Sequence, residues 1–206
     1  MFPRRIIALG SSSIHGRGDS ELGGFIARLR FWHEARGYNN FVYQLGISGE
    51  TTDSLIGRVS VESSPRRPHL LILYPGFNDI RRENSSDSNN VVPLEAFRSS
   101  METLVDRAMA LAPTLILTGF PFDDSKTTPY LDTNWYYLRS DAKRYTQTLK
   151  DICEARSLSV LDYFELWESR ILDELLAPDG LHCNPKGHQL LFEQLRDFLE
   201  MAYKGT

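Results

Sequence analysis

Ile6-Ile7-Ala8-Leu9-Gly10-Ser11-Ser12-Ser13-Ile14-His15-Gly16 decides how the rest of the chain is read. Its first half is an unbroken apolar run of strand length, the pattern of a parallel strand buried on both faces. Gly10 ends that run, three hydroxyl residues crowd the turn that follows, and Gly16 closes it. In open α/β sheets, ligands bind in the turns beyond the carboxyl ends of the strands. The stretch therefore reads in two ways. It is an ordinary strand-to-helix turn, for which Ser and Gly are common residues, or it presents Ser12 as a nucleophile. The second reading requires a base, an orienter for that base and oxyanion donors elsewhere in the chain.

Outward from this turn, strand-length apolar runs alternate with helical periods. Phe25, Leu29 and Trp32 mark one helical face, ended near Gly37, and residues 41–45 read as a second strand. Leu55, Ile56 and Val59 indicate a short helix; Pro65 and Pro68 bracket the link to the most apolar strand, residues 69–74. The polar run 82–90 reads as a surface loop. Phe97, Met101, Leu104, Ala108 and Leu111 recur at helical spacing, as do Leu138, Ala142, Tyr145, Leu149 and Ile152. Residues 114–118 and 159–161 supply two more strands, and Leu191, Leu195, Phe198 and Ala202 form the stripe of a last helix. Strands joined by crossover helices imply a parallel sheet covered on both faces. The expectation is a three-layer α/β/α sandwich of about five parallel strands, spanning residues 1–206 as a single domain.

Composition bounds the function. Of 206 residues, 41% are hydrophobic and 24% charged, an ordinary globular balance. A net charge of −4 and the lack of a basic stripe argue against a nucleic-acid partner. No secretory segment precedes the first strand, and no apolar run is long enough to span a membrane. Cys153 and Cys183 make neither a disulfide framework nor a zinc spacing, so a reducing cytoplasm is the expected location.

The base and its orienter have a candidate in Pro178-Asp179-Gly180-Leu181-His182. An Asp three residues before a His can fold so that the carboxylate takes one imidazole N–H and leaves the other nitrogen to accept a proton. Equally, Asp179 could support a turn and His182 lie on the surface. His188 and His182 do not match a zinc spacing, and no third ligand is evident. Oxyanion donors should lie beyond neighbouring strands. Gly46-Ile47-Ser48-Gly49-Glu50 follows the second strand, and Gly76-Phe77-Asn78-Asp79 the third, where the Asn78 amide is a candidate donor. Both also read as turns, with Asp79 as a helix cap. Cys183, beside His182, is a rival thiol nucleophile or simply a packed cysteine.

These blocks, in this order, resemble the SGNH subgroup of the GDSL hydrolase family. The family's Gly-Asp-Ser-Leu aligns with Gly10-Ser11-Ser12-Ser13, its second-block glycine with Gly49, its Gly-x-Asn-Asp with residues 76–79 and its Asp-x-x-His with Asp179 and His182. The resemblance implies a flavodoxin-like fold and a cofactor-free serine esterase. It makes Ser12, His182 and Asp179 the triad, and Ser12, Gly49 and Asn78 the oxyanion donors. Ser11 replaces the family's aspartate and Ser13 its leucine. Since that aspartate is not a triad member, the chemistry is expected to survive.

The expected substrate is a small or short-chain acyl ester. Residues 119–124 and the aromatic segment 130–137, with Trp135 and Tyr136, lie beyond the fourth strand and either line a pocket or pack on the domain. Arg81 and Arg82 either meet an anionic substrate or lie on a solvated face. Two rivals stand beside the esterase. One is a phosphate- or nucleotide-binding module using the hydroxyl-rich turn, which lacks a G-x-G-x-x-G or P-loop pattern. The other is an inactive pseudoenzyme of the same fold.

Overall fold

Ile6, Ile7, Ala8 and Leu9 have no exposed surface, and the strand they build, β1 (Arg5–Gly10), lies inside the sheet. The computed structural model describes residues 1–204. After β1 come α1 (Ser12–His15), α2 (Phe25–Glu34), β2 (Phe41–Gly46), α3 (Thr52–Ser63) and β3 (Leu70–Tyr74). The chain continues through β4 (Arg82–Glu83), α4 (Leu94–Met109), β5 (Thr114–Leu117), α5 (Asp124–Thr127) and β6 (Trp135–Tyr136). It ends with α6 (Arg139–Ala155), β7 (Ser159–Leu161), α7 (Tyr163–Trp167) and α8 (Pro185–Ala202).

The main sheet has the order β2-β1-β3-β5-β7, and every pair in it is parallel. The chain steps from β1 to β2 in one direction, then passes back over β1 and continues the other way. With right-handed crossovers this puts α2 on one face and α3, α4 and α6 on the other. The contacts agree: α2 packs on α8, while α3 packs on α4 and α4 on α6. Loops after β1 and β3 therefore diverge to opposite faces and leave a crevice at the carboxyl edge, the switch point where such sheets bind ligands. The expected three-layer α/β/α sandwich is the observed fold.

The helical periods in the sequence locate the buried stripes. Phe97, Met101, Leu104 and Ala108 of α4 are buried, as are Ala142, Tyr145, Leu149 and Ile152 of α6. In α8 the stripe runs through Leu191, Leu195 and Leu199; Ala202, expected on it, is exposed because a spacing of four carries the stripe on to Tyr203, which packs against the core.

Residues 82–90 are not a plain surface loop. Arg82 and Glu83 form β4, which pairs antiparallel with β6. The Arg82 guanidinium grips the buried Asp141 carboxylate through Nε (2.6 Å) and Nη2 (2.9 Å) and donates to the Ser86 and Ser88 carbonyls. Asn90 is buried and donates to the Ile80 carbonyl and to Asp141. Arg82 is thus a structural cation. Polarity in this segment serves an internal network that covers one buried carboxylate.

A second buried ion pair folds the loop between α1 and α2. Asp19 accepts N–H bonds from Glu21 (3.0 Å), Leu22 (3.3 Å) and Gly24 (2.7 Å) and pairs with Arg28. Arg28 Nε continues to Gln189 Oε1 (3.0 Å), tying α2 to α8. Burial works to raise the Asp19 carboxyl, but the guanidinium and the backbone donors outweigh it and hold it at about 2. A carboxyl depressed in the folded state stabilises the fold above its unfolded value, and that stabilisation is lost as the pH falls through about 2. Asp19 should contribute about 2 kcal/mol at pH 7 that fades in acid. Urea unfolding from pH 7 down to pH 2 should show a shallower acid loss for Asp19→Asn than for the natural chain. Parallel acid limbs would exclude the pair as a source of acid sensitivity.

Candidate active site

At the end of β1 the chain turns directly into α1, so that Ser12 stands at the carboxyl edge of the sheet beside the crevice. The Ser12 carbonyl accepts the N–H groups of Gly16 and Arg17, each at 3.0 Å, which fixes the turn. The neighbouring strand lies very close. A Cβ at Gly46 would sit 2.2 Å from the His15 backbone nitrogen, so only glycine admits α1 there.

The segment 177–182 closes on itself. Ala177 N–H donates to the His182 carbonyl (2.7 Å) and Gly180 N–H to the Ala177 carbonyl (2.9 Å). Asp179 Oδ1 takes the N–H groups of Leu181 and His182, both at 3.0 Å. This leaves Oδ2 facing His182 Nδ1 at 2.7 Å, while Nε2 lies 2.9 Å from Ser12 Oγ. The carboxylate assigns the imidazole proton to Nδ1, which leaves Nε2 to accept from the serine hydroxyl. Burial would raise the Asp179 carboxyl, but the His182 ring and two backbone N–H groups hold it well below the usual carboxylate range. Hydroxyl, imidazole and carboxylate thus form one continuous relay. Of the three consecutive serines, all buried, only Ser12 bonds the imidazole. Ser11 Oγ is enclosed without a partner, and Ser13 lies beside the Tyr74 phenol.

Gly49 adopts φ +82°, and open space lies where a Cβ would project. Asn78 is buried; its Nδ2 donates to the Glu50 carbonyl at 2.9 Å, which ties the turn after β3 to the turn that carries Gly49. One N–H of that amide remains beyond this bond. Asp79 is a helix cap as expected, though for α3 across the crevice: its carboxylate receives the Thr52 N–H at 3.0 and 3.2 Å. Burial outweighs that bond and pushes its carboxyl up to about 6.

His188 makes no pair with His182. Its Nδ1 accepts the Phe25 N–H (3.2 Å) and its Nε2 donates to the Arg17 carbonyl (2.9 Å), so both nitrogens serve the loop after α1. Among the described residues no group of three or more His, Cys, Asp or Glu side chains could hold a metal ion. The Cys183 thiol is buried, and burial pushes it well above the usual thiol range, the opposite of an activated nucleophile. Phe120 and Phe122 follow the packing alternative: they are wholly buried among Phe77, Trp167 and Tyr137. Arg81 lies over the Trp135 ring at 4.5 Å and pairs with Glu83 at 2.9 Å.

Two tyrosines of the aromatic segment touch the relay in ways that spacing does not reveal. Tyr130 donates its hydroxyl to Asp179 Oδ2 (3.1 Å) and meets the His182 ring edge-on at 6.4 Å. Tyr137 donates to Asn78 Oδ1 at 3.4 Å. The aromatic run is a visible signal in the sequence; the direction of each hydroxyl depends on the turn before α6.

An α/β/α protein with a hydroxyl–imidazole–carboxylate relay at its switch point is the class that fold and site define. The sequence matches the model of the GDSL-like Lipase/Acylhydrolase family over residues 8–190. The chain belongs to that family. It is 24% identical over 167 residues to the GDSL esterase/lipase WDL1 of Oryza sativa subsp. japonica, covering 77% of this chain and 64% of the relative. It is 24% identical over 149 residues to the GDSL esterase/lipase CPRD49 of Arabidopsis thaliana, covering 66% and 56%. The chain thus spans about three-fifths of the length of these curated relatives. Among solved structures, a lipase/acylhydrolase from Enterococcus faecalis superposes with a TM-score of 0.78 at 22% identity over 96% of each chain. A catalytic mutant of Axe2, an acetylxylan esterase from Geobacillus stearothermophilus, gives 0.73 at 18% identity over 95% of this chain and 94% of that one. Esterase EstA from Pseudoalteromonas sp., inhibited by monoethylphosphonate, gives 0.72 at 18% identity over 97% and 98%. These likenesses establish the fold. No helix among the described residues is long and apolar enough to cross a membrane.

Because Tyr130 and His182 share Asp179 Oδ2, removing the phenol should make that oxygen a stronger acceptor for the imidazole. In Tyr130→Phe the His182 Nδ1–H proton resonance should move downfield with the fold unchanged. An unmoved resonance would mean that the phenol bond does not act on the relay.

Proposed function

We propose that the protein is a carboxylic ester hydrolase that transfers a short acyl group to Ser12 and then to water. The observation that carries this reading is the unbroken relay from Ser12 Oγ through His182 to Asp179, with steps of 2.9 and 2.7 Å. The reading takes residues 1–206 as one hydrolase domain and needs no metal or cofactor for its steps.

In the first half-reaction His182 Nε2 takes the Ser12 hydroxyl proton as Oγ attacks the acyl carbonyl carbon. Asp179 holds the Nδ1–H tautomer and stabilises the imidazolium that forms. The carbonyl oxygen becomes an oxyanion, received by the N–H groups of Ser12 and Gly49 and by the Asn78 amide. The intermediate collapses, the ester C–O bond breaks, and His182 gives its proton to the leaving alcohol. Water, deprotonated by the same imidazole, then attacks the acyl-enzyme and releases the acid and free Ser12.

A short acyl group is favoured because the reacting groups are recessed. Ser12 and His182 are each only 5% exposed, and Asn78 only 6%. The family match and the esterase names of the relatives support ester hydrolysis as the chemistry. Against the phosphate-binding rival, the Ser12 hydroxyl is already engaged by an imidazole whose other nitrogen faces a carboxylate, an arrangement that activates a nucleophile and that an anion cradle does not need.

A serine-directed phosphonate should label Ser12, read by peptide mass mapping. Ser12→Ala should abolish p-nitrophenyl acetate hydrolysis, while Ser11→Ala and Ser13→Ala retain most of it. Asp179→Asn should lower turnover by about 10⁴ while keeping the fold. Absence of label on an intact, folded chain would favour the pseudoenzyme reading. For Asn78→Ala the expected loss is about 10²–10³ in kcat, with KM little changed, because an oxyanion donor bonds more strongly in the transition state. A variant that keeps its turnover but melts earlier would make Asn78 a tie to Glu50 and nothing more.

A further inference from the structure

We propose that the open cleft beside Ser12, bounded by His15, Arg17, Asp19, Ser20 and Ser48, receives the alcohol portion of the ester and selects alcohols bearing an anionic group. The cleft has a volume of about 580 Å³. The assignment rests on the esterase reading of the Ser12 site.

Position comes first. Arg17 N–H donates to the Ser12 carbonyl, so the cleft wall and the nucleophile share one turn, and Ser48 directly precedes Gly49. Gly18 packs against the backbone that carries the base: a Cβ there would lie 2.1 Å from the Cys183 carbonyl oxygen and 3.4 Å from His182 Cβ. When the tetrahedral intermediate collapses, the proton on His182 Nε2 passes to the leaving oxygen. The alcohol must therefore leave beside the imidazole, and Arg17-Gly18 is the stretch of the cleft wall that borders residues 182–183.

Chemistry follows from the lining. Apart from the His15 imidazole it consists of hydroxyls, charged groups and glycine backbone. Its acid, Asp19, is neutralised by Arg28 behind the wall. Arg17 is exposed and takes part in no ion pair among the described residues. Arg81 and Arg82, by contrast, are paired, with Glu83 and Asp141. The Arg17 charge also reaches across the mouth: burial raises the Tyr130 and Tyr137 phenols, and the Arg17 guanidinium opposes that rise in both. These phenols bond Asp179 and Asn78, so the groups that feel the Arg17 charge also touch the relay and the Asn78 amide. A free guanidinium at such a place offers forked N–H donors that match phosphate or carboxylate oxygens.

The test compares kcat/KM at low salt for 1-acetylglycerol, 1-acetylglycerol 3-phosphate and 3-O-acetylglycerate. Both anionic esters should exceed the neutral one by about tenfold, the scale of one charge-assisted contact. The preference should shrink as salt is raised and fall close to unity in Arg17→Gln. That substitution keeps the backbone bonds of residue 17 to Ser12 and His188, so it should fold. A preference for the phosphate ester alone supports a subsite that reads a double charge, and equal preference for both anions supports one that reads a single charge. Equal turnover of all three esters by the natural chain, or a preference that survives Arg17→Gln, overturns the proposal. If even p-nitrophenyl acetate is not hydrolysed, the esterase reading fails by itself. The cleft is then judged by titrating glycerol 3-phosphate into Ser12→Ala protein and following backbone amide shifts. Shifts at residues 15–20 that vanish in the Arg17→Gln background support the anion site, and their absence overturns it.

Discussion

The structure depends on a reversal of direction at β1. Right-handed crossovers require that a chain stepping from β1 to β2 and then back to β3 place its helices on opposite faces. The turns after β1 and β3 then part, and the crevice between them opens at the carboxyl edge. Ser12 follows β1, Gly49 follows β2 and Asn78 follows β3, so three of the expected site residues come from strands adjacent at the reversal. His182 and Asp179 do not. They follow β7, the strand at the far edge of the sheet, and must be carried back across its carboxyl rim.

That return is built from specific bonds. Thr118, at the end of β5, donates through Oγ1 to Asp162 (3.0 Å) and accepts the Phe164 N–H (3.1 Å), so the chain leaving β7 is held against its neighbour. Asp123 N–H then donates to the Gly180 carbonyl at 2.9 Å, which braces the Asp179–His182 turn on the loop after β5. Behind the turn, Asn184 Oδ1 accepts the Gly187 N–H (2.9 Å) and starts α8, and Tyr163 donates to the Leu191 carbonyl (2.9 Å). The imidazole is therefore held between a loop on one side and a helix start on the other. Its distance to Ser12 is set by this packing, and not by the two residues that separate it from Asp179.

Much of this is legible in the sequence because the decisive signals are local. Unbroken apolar runs mark the buried parallel strands, and a carboxylate three residues before an imidazole is a pattern whose geometry a single turn can realise. What the sequence leaves open depends on partners distant in the chain. Residues 82–90 read as a loop because their polarity is visible, whereas the buried Asp141 that Arg82 and Asn90 serve lies in a helix more than one strand later. Phe120 and Phe122 read as available for a pocket, but aromatic rings beyond a strand can turn toward the core as readily as toward a ligand. Tyr130 carries no motif; its contact with the relay comes only from the Asp179 oxygen that its hydroxyl meets.

Ser11 is the clearest departure from the family's pattern, and the electrostatics of the surroundings make it intelligible. Buried acids elsewhere in this chain have cations: Asp19 has Arg28, Asp141 has Arg82 and Arg144, and Glu50 has Arg58, although burial still raises the Glu50 carboxyl. Where a cation is lacking, the cost is visible. Asp79 has the Thr52 N–H at the start of α3, and its carboxyl is pushed up to about 6. A carboxylate at position 11 would be enclosed beside Ser12, at a residue only 2% exposed. A serine there leaves one hydroxyl without a partner, a cost of about 1–3 kcal/mol, smaller than that of an unpaired buried charge. It also keeps a second negative charge away from the relay. The turn holds its shape through backbone bonds from Gly16 and Arg17 to the Ser12 carbonyl, none of which needs a side chain at position 11. The relay thus stands on the fold around it, and position 11 is free to be neutral.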